Sequence, residues 1–253
     1  MFTRKSITLA LMIAMGSTMA HAESTVAAKD IVIVHGALVN GSGWRAVYDI
    51  LSKHGFHVTI VQEPLTGLAE DVEATKRAID LQPGPVVLVG HSYGGSVITE
   101  AGADPKVSAL VYVAALQPDA GEASGQLLSK FAPPNDAMRA ANNRGTQDKY
   151  FFLPPEKFAG TYAADVPAPE AQFMADSQQQ LAEKALGAPV SVAAWRTKPS
   201  YAIVTTQDHV VSPELQRWMY KRSGAKVTEL RASHAVFVSQ AAAVARVIEA
   251  AAK

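Results

Sequence analysis

One short segment of this 253-residue chain carries residue types that point directly to chemistry: residues 90–94 read Gly-His-Ser-Tyr-Gly. The apolar run 86–89 precedes this segment, and a helical pattern follows it to about Gly102. A serine between glycines at a strand-to-helix bend is held on a sharp turn that exposes its hydroxyl. A bare Gly-x-Ser-x-Gly has many chance matches, so the strand and helix around it are the informative part. The pattern predicts that Ser92 is a nucleophile.

A serine hydroxyl needs an adjacent base, and histidine has the pKa suited to that task. His234 lies between the last predicted strand and the last predicted helix, and Asp208 directly follows the strand before it. An acid in that place would hold the imidazole in one tautomer. We therefore predict Ser92, His234 and Asp208 as a catalytic triad. Asp119 is the rival acid, although its Pro-Asp-Ala-Gly turn is a sufficient local reason for an aspartate.

The remaining histidines are given structural interpretations. His91 and His209 flank predicted catalytic residues but are expected to point elsewhere. His54 and His57 are expected at the surface or at a strand edge.

Acyl transfer also requires two backbone donors for the developing oxyanion. One is the amide of the residue after the nucleophile, which is Tyr93. The other comes from the loop after the first strand, where the sequence reads His-Gly-Ala and the Ala37 amide is our prediction.

The elements that must position these groups alternate between strand and helix. Strands are predicted at 31–34, 57–61, 86–89, 107–114, 201–205 and 226–230, and helices at 44–53, 68–81, 94–102, 213–222 and 236–251. In the helix 68–81, Asp71 is expected on the outward, charged face. The alternation predicts a doubly wound, mainly parallel α/β sheet of about six strands, with ligands beyond the carboxyl ends of its strands. From 116 to 198 prolines recur and no strand pattern is visible, so we expect an insertion of loops and short helices.

The His-Gly-Ala segment with Trp44 downstream, the serine motif, Asp208 and Ser233-His234 together resemble the α/β-hydrolase superfamily over the whole mature chain. More narrowly, they resemble the small single-domain branch of plant methyl-ester esterases, plant hydroxynitrile lyases and bacterial esterases. That resemblance implies that the family's first hairpin is missing, that 116–198 is a cap and that no metal or cofactor is used. Residues expected to line the pocket are Leu38, Trp44, Phe151, Phe152, Tyr162, Phe173 and Trp195.

The resemblance also bears on the reaction. In the lyases of this branch a lysine follows the catalytic histidine by two positions, whereas this chain has Val236 there. We therefore expect hydrolysis of small to medium, fairly apolar carboxylic esters through an acyl-enzyme. A hydroxynitrile-lyase-like reaction and a non-catalytic small-molecule binder on the same fold are the alternatives, and amide, lactone or thioester hydrolysis stays open.

Composition limits the partners and the compartment. The chain has 23 basic and 23 acidic residues, which gives no support for a nucleic-acid partner, and it has no cysteine. Residues 1–22 combine a basic start, an apolar run too short to span a bilayer and an Ala-His-Ala cleavage pattern, which predicts a signal peptide and an exported, periplasmic or secreted domain at 23–253. The partner is expected to be a small ester, without stable membrane insertion, and the oligomeric state is left open.

Overall fold

A computed structural model describes residues 28–131 and 149–253. The predicted signal peptide lies outside the described residues and stays a prediction. The strands are β1 (Asp30–Val34), β2 (His57–Val61), β3 (Val86–His91), β4 (Val107–Val113), β5 (Tyr150–Phe151), β6 (Leu181–Ala182), β7 (Ser200–Thr205) and β8 (Lys226–Leu230).

Six of these strands form one parallel sheet in the order β2-β1-β3-β4-β7-β8. The central strands β1 and β3 are buried along their whole length, because helices cover both faces. The register pairs Val34 with Gly90, so the loops that follow β1 and β3 emerge side by side. The predicted fold class, a doubly wound parallel sheet of about six strands, is confirmed.

The helices are α1 (Arg45–Lys53), α2 (Leu68–Asp80), α3 (Gly94–Ala101), α4 (Ser124–Lys130), α5 (Pro155–Tyr162), α6 (Ala168–Asp176), α7 (Glu183–Gly187), α8 (Pro213–Ser223), α9 (Val236–Ser239) and α10 (Ala241–Ala251). Short 3-10 helices lie at Gly41–Trp44 and Ala194–Arg196. The predicted single terminal helix is wrong, because Gln240 leaves the helical conformation (φ −133°, ψ 43°) and separates α9 from α10. None of the helices among the described residues is long and apolar enough to cross a membrane.

The insertion between β4 and β7 has helices, as predicted, but it also contains a two-stranded antiparallel ribbon of β5 and β6. Two residues per strand are too few to produce an alternating pattern, which explains why the sequence did not reveal it. The ribbon is tied to the main domain, because the Ala182 amide donates to the Leu65 carbonyl at 2.9 Å. The insertion therefore lies over the carboxyl ends of the sheet.

Candidate active site

Ser92 lies on a strained turn between β3 and α3. Its φ is +53°, a left-handed conformation that side-chain-bearing residues rarely adopt. The turn requires glycine at its neighbours: a Cβ on Gly90 would lie 2.6 Å from the Gly94 carbonyl oxygen, and one on Gly36 would lie 2.8 Å from the Ser92 Cβ. The backbone is therefore packed tightly around the serine, and Ser92 lines a cavity above the sheet.

The three side chains predicted as a triad are brought together. The Ser92 Oγ lies 2.8 Å from His234 Nε2, and His234 Nδ1 lies 2.8 Å from Asp208 Oδ2. The side chains of His234 and Asp208 are completely buried. Because a carboxylate accepts from Nδ1–H, Nε2 is left free to accept the serine proton. The arrangement is that of a base-activated nucleophile.

Asp208 has more hydrogen-bond donors than the histidine alone provides. Its Oδ1 accepts from the backbone amides of Val210 and Val211 at 2.8 and 3.0 Å. Its Oδ2 accepts from the Thr205 hydroxyl at 2.7 Å and from the Gln216 amide nitrogen at 2.9 Å, besides His234. Five donors therefore surround this buried carboxylate. The sequence predicted His234 alone, and it did not reveal the two backbone amides or the side chains of Thr205 and Gln216.

The rival acid, Asp119, lies in a different environment. Its carboxylate is bound by the guanidinium of Arg196, and this partner lowers the pKa of Asp119. The surrounding side chains are partly exposed. The structure brings Asp208, and not Asp119, to His234.

The two amides predicted as oxyanion donors flank the nucleophile. Ala37 and Tyr93 both line the cavity beside Ser92. Neither N–H donates a hydrogen bond to another group within the described part of the chain. A residue of the insertion contacts the loop that carries Ala37: the Tyr162 hydroxyl donates to the Ala37 carbonyl at 3.2 Å.

The cavity has a volume of about 250 Å³ and is mostly apolar. Ser92, Ser129 and Ser212 are hydroxyl-bearing members of its lining, and no Asp, Glu, Lys or Arg of the described residues lines it. The Ser129 hydroxyl donates to the Gln126 carbonyl, and the Ser212 hydroxyl caps α8. The lining therefore offers apolar surface to a ligand, supplied by Leu38, Leu116, Leu128, Phe131, Phe151, Tyr162, Leu181, Leu186, Val210, Val211 and Leu215.

Four of the seven residues predicted for the pocket lie outside this lining. Trp44 is fully buried and stacks on Phe237 at a ring-centroid distance of 4.8 Å. Trp195 donates its indole N–H to the Pro118 carbonyl. Phe173 is 53% exposed on α6, and Phe152 is half-buried away from the cavity. Large apolar side chains pack within a protein as readily as against a ligand, so residue type alone did not separate these four from Leu38, Phe151 and Tyr162.

His91 has a structural contact with the site, in keeping with its predicted role. Its Nε2–H donates to the backbone carbonyl of His234 at 3.0 Å, and their ring centroids are 4.6 Å apart. Burial, followed by the nearby His234, lowers the pKa of His91 well below its usual value. His91 is therefore a neutral support for the histidine loop. His209 lies at the surface with Nδ1 3.2 Å from the Gly160 carbonyl.

Two buried acids beside the oxyanion loop were not foreseen. Asp71, predicted to face outward, is fully buried and accepts from the Tyr93 hydroxyl at 2.8 Å and the Leu65 amide at 2.8 Å. Burial raises its pKa to about 6. Glu63 is also buried, and neither of its carboxyl oxygens has a hydrogen-bond partner among the described residues. Burial and the neighbouring Asp71 raise the pKa of Glu63 well above its usual value.

No cluster of three or more His, Asp or Glu side chains suited to a metal occurs within residues 28–131 and 149–253.

Known proteins resemble this chain in sequence. Carbendazim hydrolyzing esterase of Nocardioides sp. (strain SG-4G) is 34% identical over 122 residues, which cover 42% of this chain and 49% of that protein. The chain thus matches about half the length of that relative. Methylesterase 8 of Arabidopsis thaliana is 26% identical over 215 residues, 74% of this chain and 75% of that protein.

Solved structures share the fold. A pyrethroid hydrolase from Sphingobium faniae JZ-2 matches with a TM-score of 0.75 and 22% identity, over 89% of this chain and 97% of that one. Polyneuridine aldehyde esterase matches with a TM-score of 0.76 and 20% identity, over 89% and 100%. In sequence, the family model for the alpha/beta hydrolase family matches residues 31–247. Because this model spans most of the chain and the sheet agrees with it, the chain belongs to the alpha/beta hydrolase family, as its sequence predicted.

Proposed function

We propose that this enzyme is a serine hydrolase that cleaves uncharged carboxylic esters of small to medium, fairly apolar substrates. The observation that carries the proposal is the continuous hydrogen-bond chain from Ser92 through His234 to Asp208, at the wall of an apolar cavity. The names of the sequence relatives, an esterase and a methylesterase, support ester hydrolysis in general.

In the proposed reaction His234 takes the Ser92 proton while Oγ attacks the ester carbonyl carbon. The resulting oxyanion accepts hydrogen bonds from the Ala37 and Tyr93 amides, a contribution typically worth on the order of 10²-fold in rate per donor. The protonated His234 then gives its proton to the leaving alkoxide, and the alcohol departs from an acyl-enzyme. Water, deprotonated by the same histidine, releases the acid and restores Ser92.

The cavity sets the proposed substrate class. Its volume of about 250 Å³ is near the lower end of the roughly 300–1,000 Å³ that ligand pockets occupy. An ionised group on the substrate would lose its hydration without gaining an opposite charge from the described lining, which is costly. We therefore expect neutral substrates to be preferred over anionic ones of similar size.

Hydrolysis is favoured over cyanohydrin cleavage by the side chain two positions after the histidine. Val236 is fully buried at the start of α9 and has no charge with which to hold cyanide. The same triad acting as a base in a lyase is therefore the weaker candidate.

The test is turnover of p-nitrophenyl esters of graded acyl length by the wild type and Ser92→Ala, beside a cyanide-release assay. We expect ester turnover in the wild type, loss of at least about 10³-fold in Ser92→Ala with an unchanged melting temperature, and covalent labelling of Ser92 by a fluorophosphonate. Turnover retained in Ser92→Ala would refute the mechanism. Cyanide release without ester turnover would favour the lyase, and absence of both activities and of labelling would favour a binder.

A further inference from the structure

Gln216 lies one helical turn after the start of α8, on the face that packs against the loop carrying Asp208. Its side chain is fully buried, although glutamine is a residue that is mostly exposed in proteins. It does not line the cavity and therefore has no contact with a substrate there. A buried amide must have its donors and acceptor satisfied, so its partners show what the residue does.

The orientation of the Gln216 amide is fixed by the backbone. Its Oε1 accepts from the Thr205 backbone N–H at 3.0 Å, where an NH₂ group would face another donor. Its Nε2 therefore faces the other way, and it donates to the Val211 carbonyl at 2.8 Å and to Asp208 Oδ2 at 2.9 Å. The same nitrogen lies 3.1 Å from the Thr205 hydroxyl, which in turn donates to Asp208 Oδ2 at 2.7 Å.

These hydrogen bonds connect three parts of the chain whose relative positions determine whether Asp208 reaches His234. Thr205 ends β7, Asp208 lies in the loop that follows, and Val211 begins the return of that loop to α8. One amide bonds to all three. Asp208 Oδ2, the oxygen that accepts from His234 Nδ1, is also the oxygen that Gln216 and Thr205 bind.

We propose that Gln216 is a positioning residue for the acid of the triad: its amide fixes the rotamer of Asp208 and donates to the oxygen that orients His234. The expected effect of Gln216 on the reaction rate rests on the proposed function. The proposal makes a narrower structural claim of its own, that the Asp208–His234 hydrogen bond depends on this amide.

Two substitutions separate positioning from general stability. Gln216→Met keeps the length of the side chain and removes both hydrogen-bonding groups. Gln216→Glu keeps an acceptor for the Thr205 N–H and, while protonated, one donor for Asp208. Once ionised, that glutamate has no donor and places a second negative charge against Asp208.

The chain offers a matched control in Gln82. This glutamine is also buried, and its amide nitrogen donates to the Ala78 carbonyl at 2.6 Å and the Thr59 hydroxyl at 3.2 Å. It lies at the end of α2, away from the triad. Gln82→Met therefore removes two side-chain hydrogen bonds, one buried and one part-buried, without touching Asp208.

With p-nitrophenyl butyrate, we expect Gln216→Met to lower kcat about ten- to hundredfold with KM changed less than about threefold, because a small misplacement of a reacting group costs up to about 10² in rate. Gln82→Met should leave kcat within about twofold of the wild type. The ratio of Gln216→Glu to wild-type kcat/KM should fall as the pH rises from 6 to 9, while the ratio for Gln216→Met stays flat.

Titratable groups near Asp208 in the described structure are His234, Tyr162 and Tyr220. Burial raises the pKa of both tyrosines, with a smaller contribution from Asp208 to each, so neither titrates in the range of the assay. His234 is present in every variant, and Gln216→Met, which introduces no carboxyl, controls for a change in the hydrogen bonding around it. A falling ratio for Gln216→Glu therefore reports the introduced carboxyl.

A readout without substrate keeps this proposal separate from the proposed function. The proton on His234 Nδ1, held by a buried carboxylate, should give a far-downfield ¹H NMR signal that is absent in His234→Ala. We expect Gln216→Met to shift or broaden that signal and Gln82→Met to leave it in place. An unchanged signal, or an unchanged kcat in an active enzyme, would overturn the role of Gln216. An inactive wild type in which the signal still moves would overturn the proposed function alone.

Discussion

A buried carboxyl group follows each of the strands β7 and β2, and the two groups differ in their hydrogen bonds. Asp208 in the loop after β7 accepts from five donors, which come from that loop, from β7, from α8 and from the loop after β8. The loop after β2 carries Glu63, whose carboxyl oxygens have no hydrogen-bond partner among the described residues. Both side chains are removed from water, so burial does not distinguish them.

The donors decide what each acid can do. Hydrogen bonds to a carboxylate stabilise its charged form, and a charged Asp208 can stabilise an imidazolium on His234. The basic side chain paired with Glu63 in the described structure is His35, with Nδ1 3.6 Å from Oε2, and burial lowers the pKa of that histidine. His35 Nε2 accepts from the Glu63 amide at 3.1 Å, which identifies the imidazole as neutral. Without donors or a counter-charge among the described residues, burial raises the pKa of Glu63 and favours its neutral form.

The hydrogen-bond donors, and not burial, therefore distinguish the two acids. The loop after β7 and the elements on either side of it donate two backbone amides, a hydroxyl and a side-chain amide to one carboxylate. The loop after β2 provides no such donor to Glu63 among the described residues. Exchanging each carboxyl for the carboxamide of the same size is the direct way to test that contrast.

The largest expected effect is that of Asp208→Asn. The asparagine Oδ1 can still accept from the Val210 and Val211 amides, so the loop is retained. Its NH₂ group would face His234 Nδ1 and force the proton onto Nε2, which could no longer accept from Ser92. We expect kcat with p-nitrophenyl butyrate to fall about 10³- to 10⁴-fold, as loss of the correct tautomer does in serine proteases. Retention of more than a tenth of wild-type kcat would contradict this role.

The next effect is on stability and comes from Glu63→Gln. The folded protein holds the Glu63 proton above the pH at which the unfolded chain releases it, because the pKa of Glu63 is raised in the fold. The contribution of Glu63 to the free energy of unfolding of the wild type is thus fully present below the pKa of the unfolded chain. It is lost as the pH rises through the raised pKa of the folded state, by at most about 1.4 kcal/mol per pH unit. Glutamine has no such proton, so the free energy of unfolding of Glu63→Gln should increase relative to that of the wild type as the pH rises.

Urea unfolding of both proteins at pH 5, 6, 7 and 8 measures that difference. Asp71, whose pKa is about 6, titrates in both proteins and largely cancels. Ester turnover of Glu63→Gln should stay within about threefold of the wild type, in contrast to Asp208→Asn. A stability difference that does not change with pH would show that Glu63 is not held protonated.

The sequence could predict that Ser92, Asp208 and His234 lie together because residue chemistry and strand order point to the same three positions. Parallel strands end at one edge of the sheet, so a serine, an acid and a histidine after three strands must come close together. That inference needs only the order of the elements. It led to the expectation that Ser92, Asp208 and His234 lie close together, and the three side chains are hydrogen-bonded in the structure.

Contacts between helices and loops were beyond the same reasoning. Asp71 borders the charged face of α2, and only the fold shows that the Tyr93 hydroxyl and the Leu65 amide reach it. Gln216 did leave a signal: it lies among Leu215, Met219 and Tyr220 on the buried face of α8, where a polar side chain requires a reason. The cap residues gave no comparable signal, because apolar side chains that line a cavity and those that fill a core follow the same pattern.

Asp119→Asn tests the contrast at its weakest point, because Asp119 also follows a strand and was the rival acid. Its carboxylate forms an ion pair with Arg196. The pair is accessible to solvent, where such ion pairs contribute little to stability. We expect kcat within about twofold of the wild type and a small loss of melting temperature that disappears in high salt, since salt screens exposed charges. A loss of kcat approaching that of Asp208→Asn would mean that the acid after β4, and not the donor-rich acid after β7, orients His234.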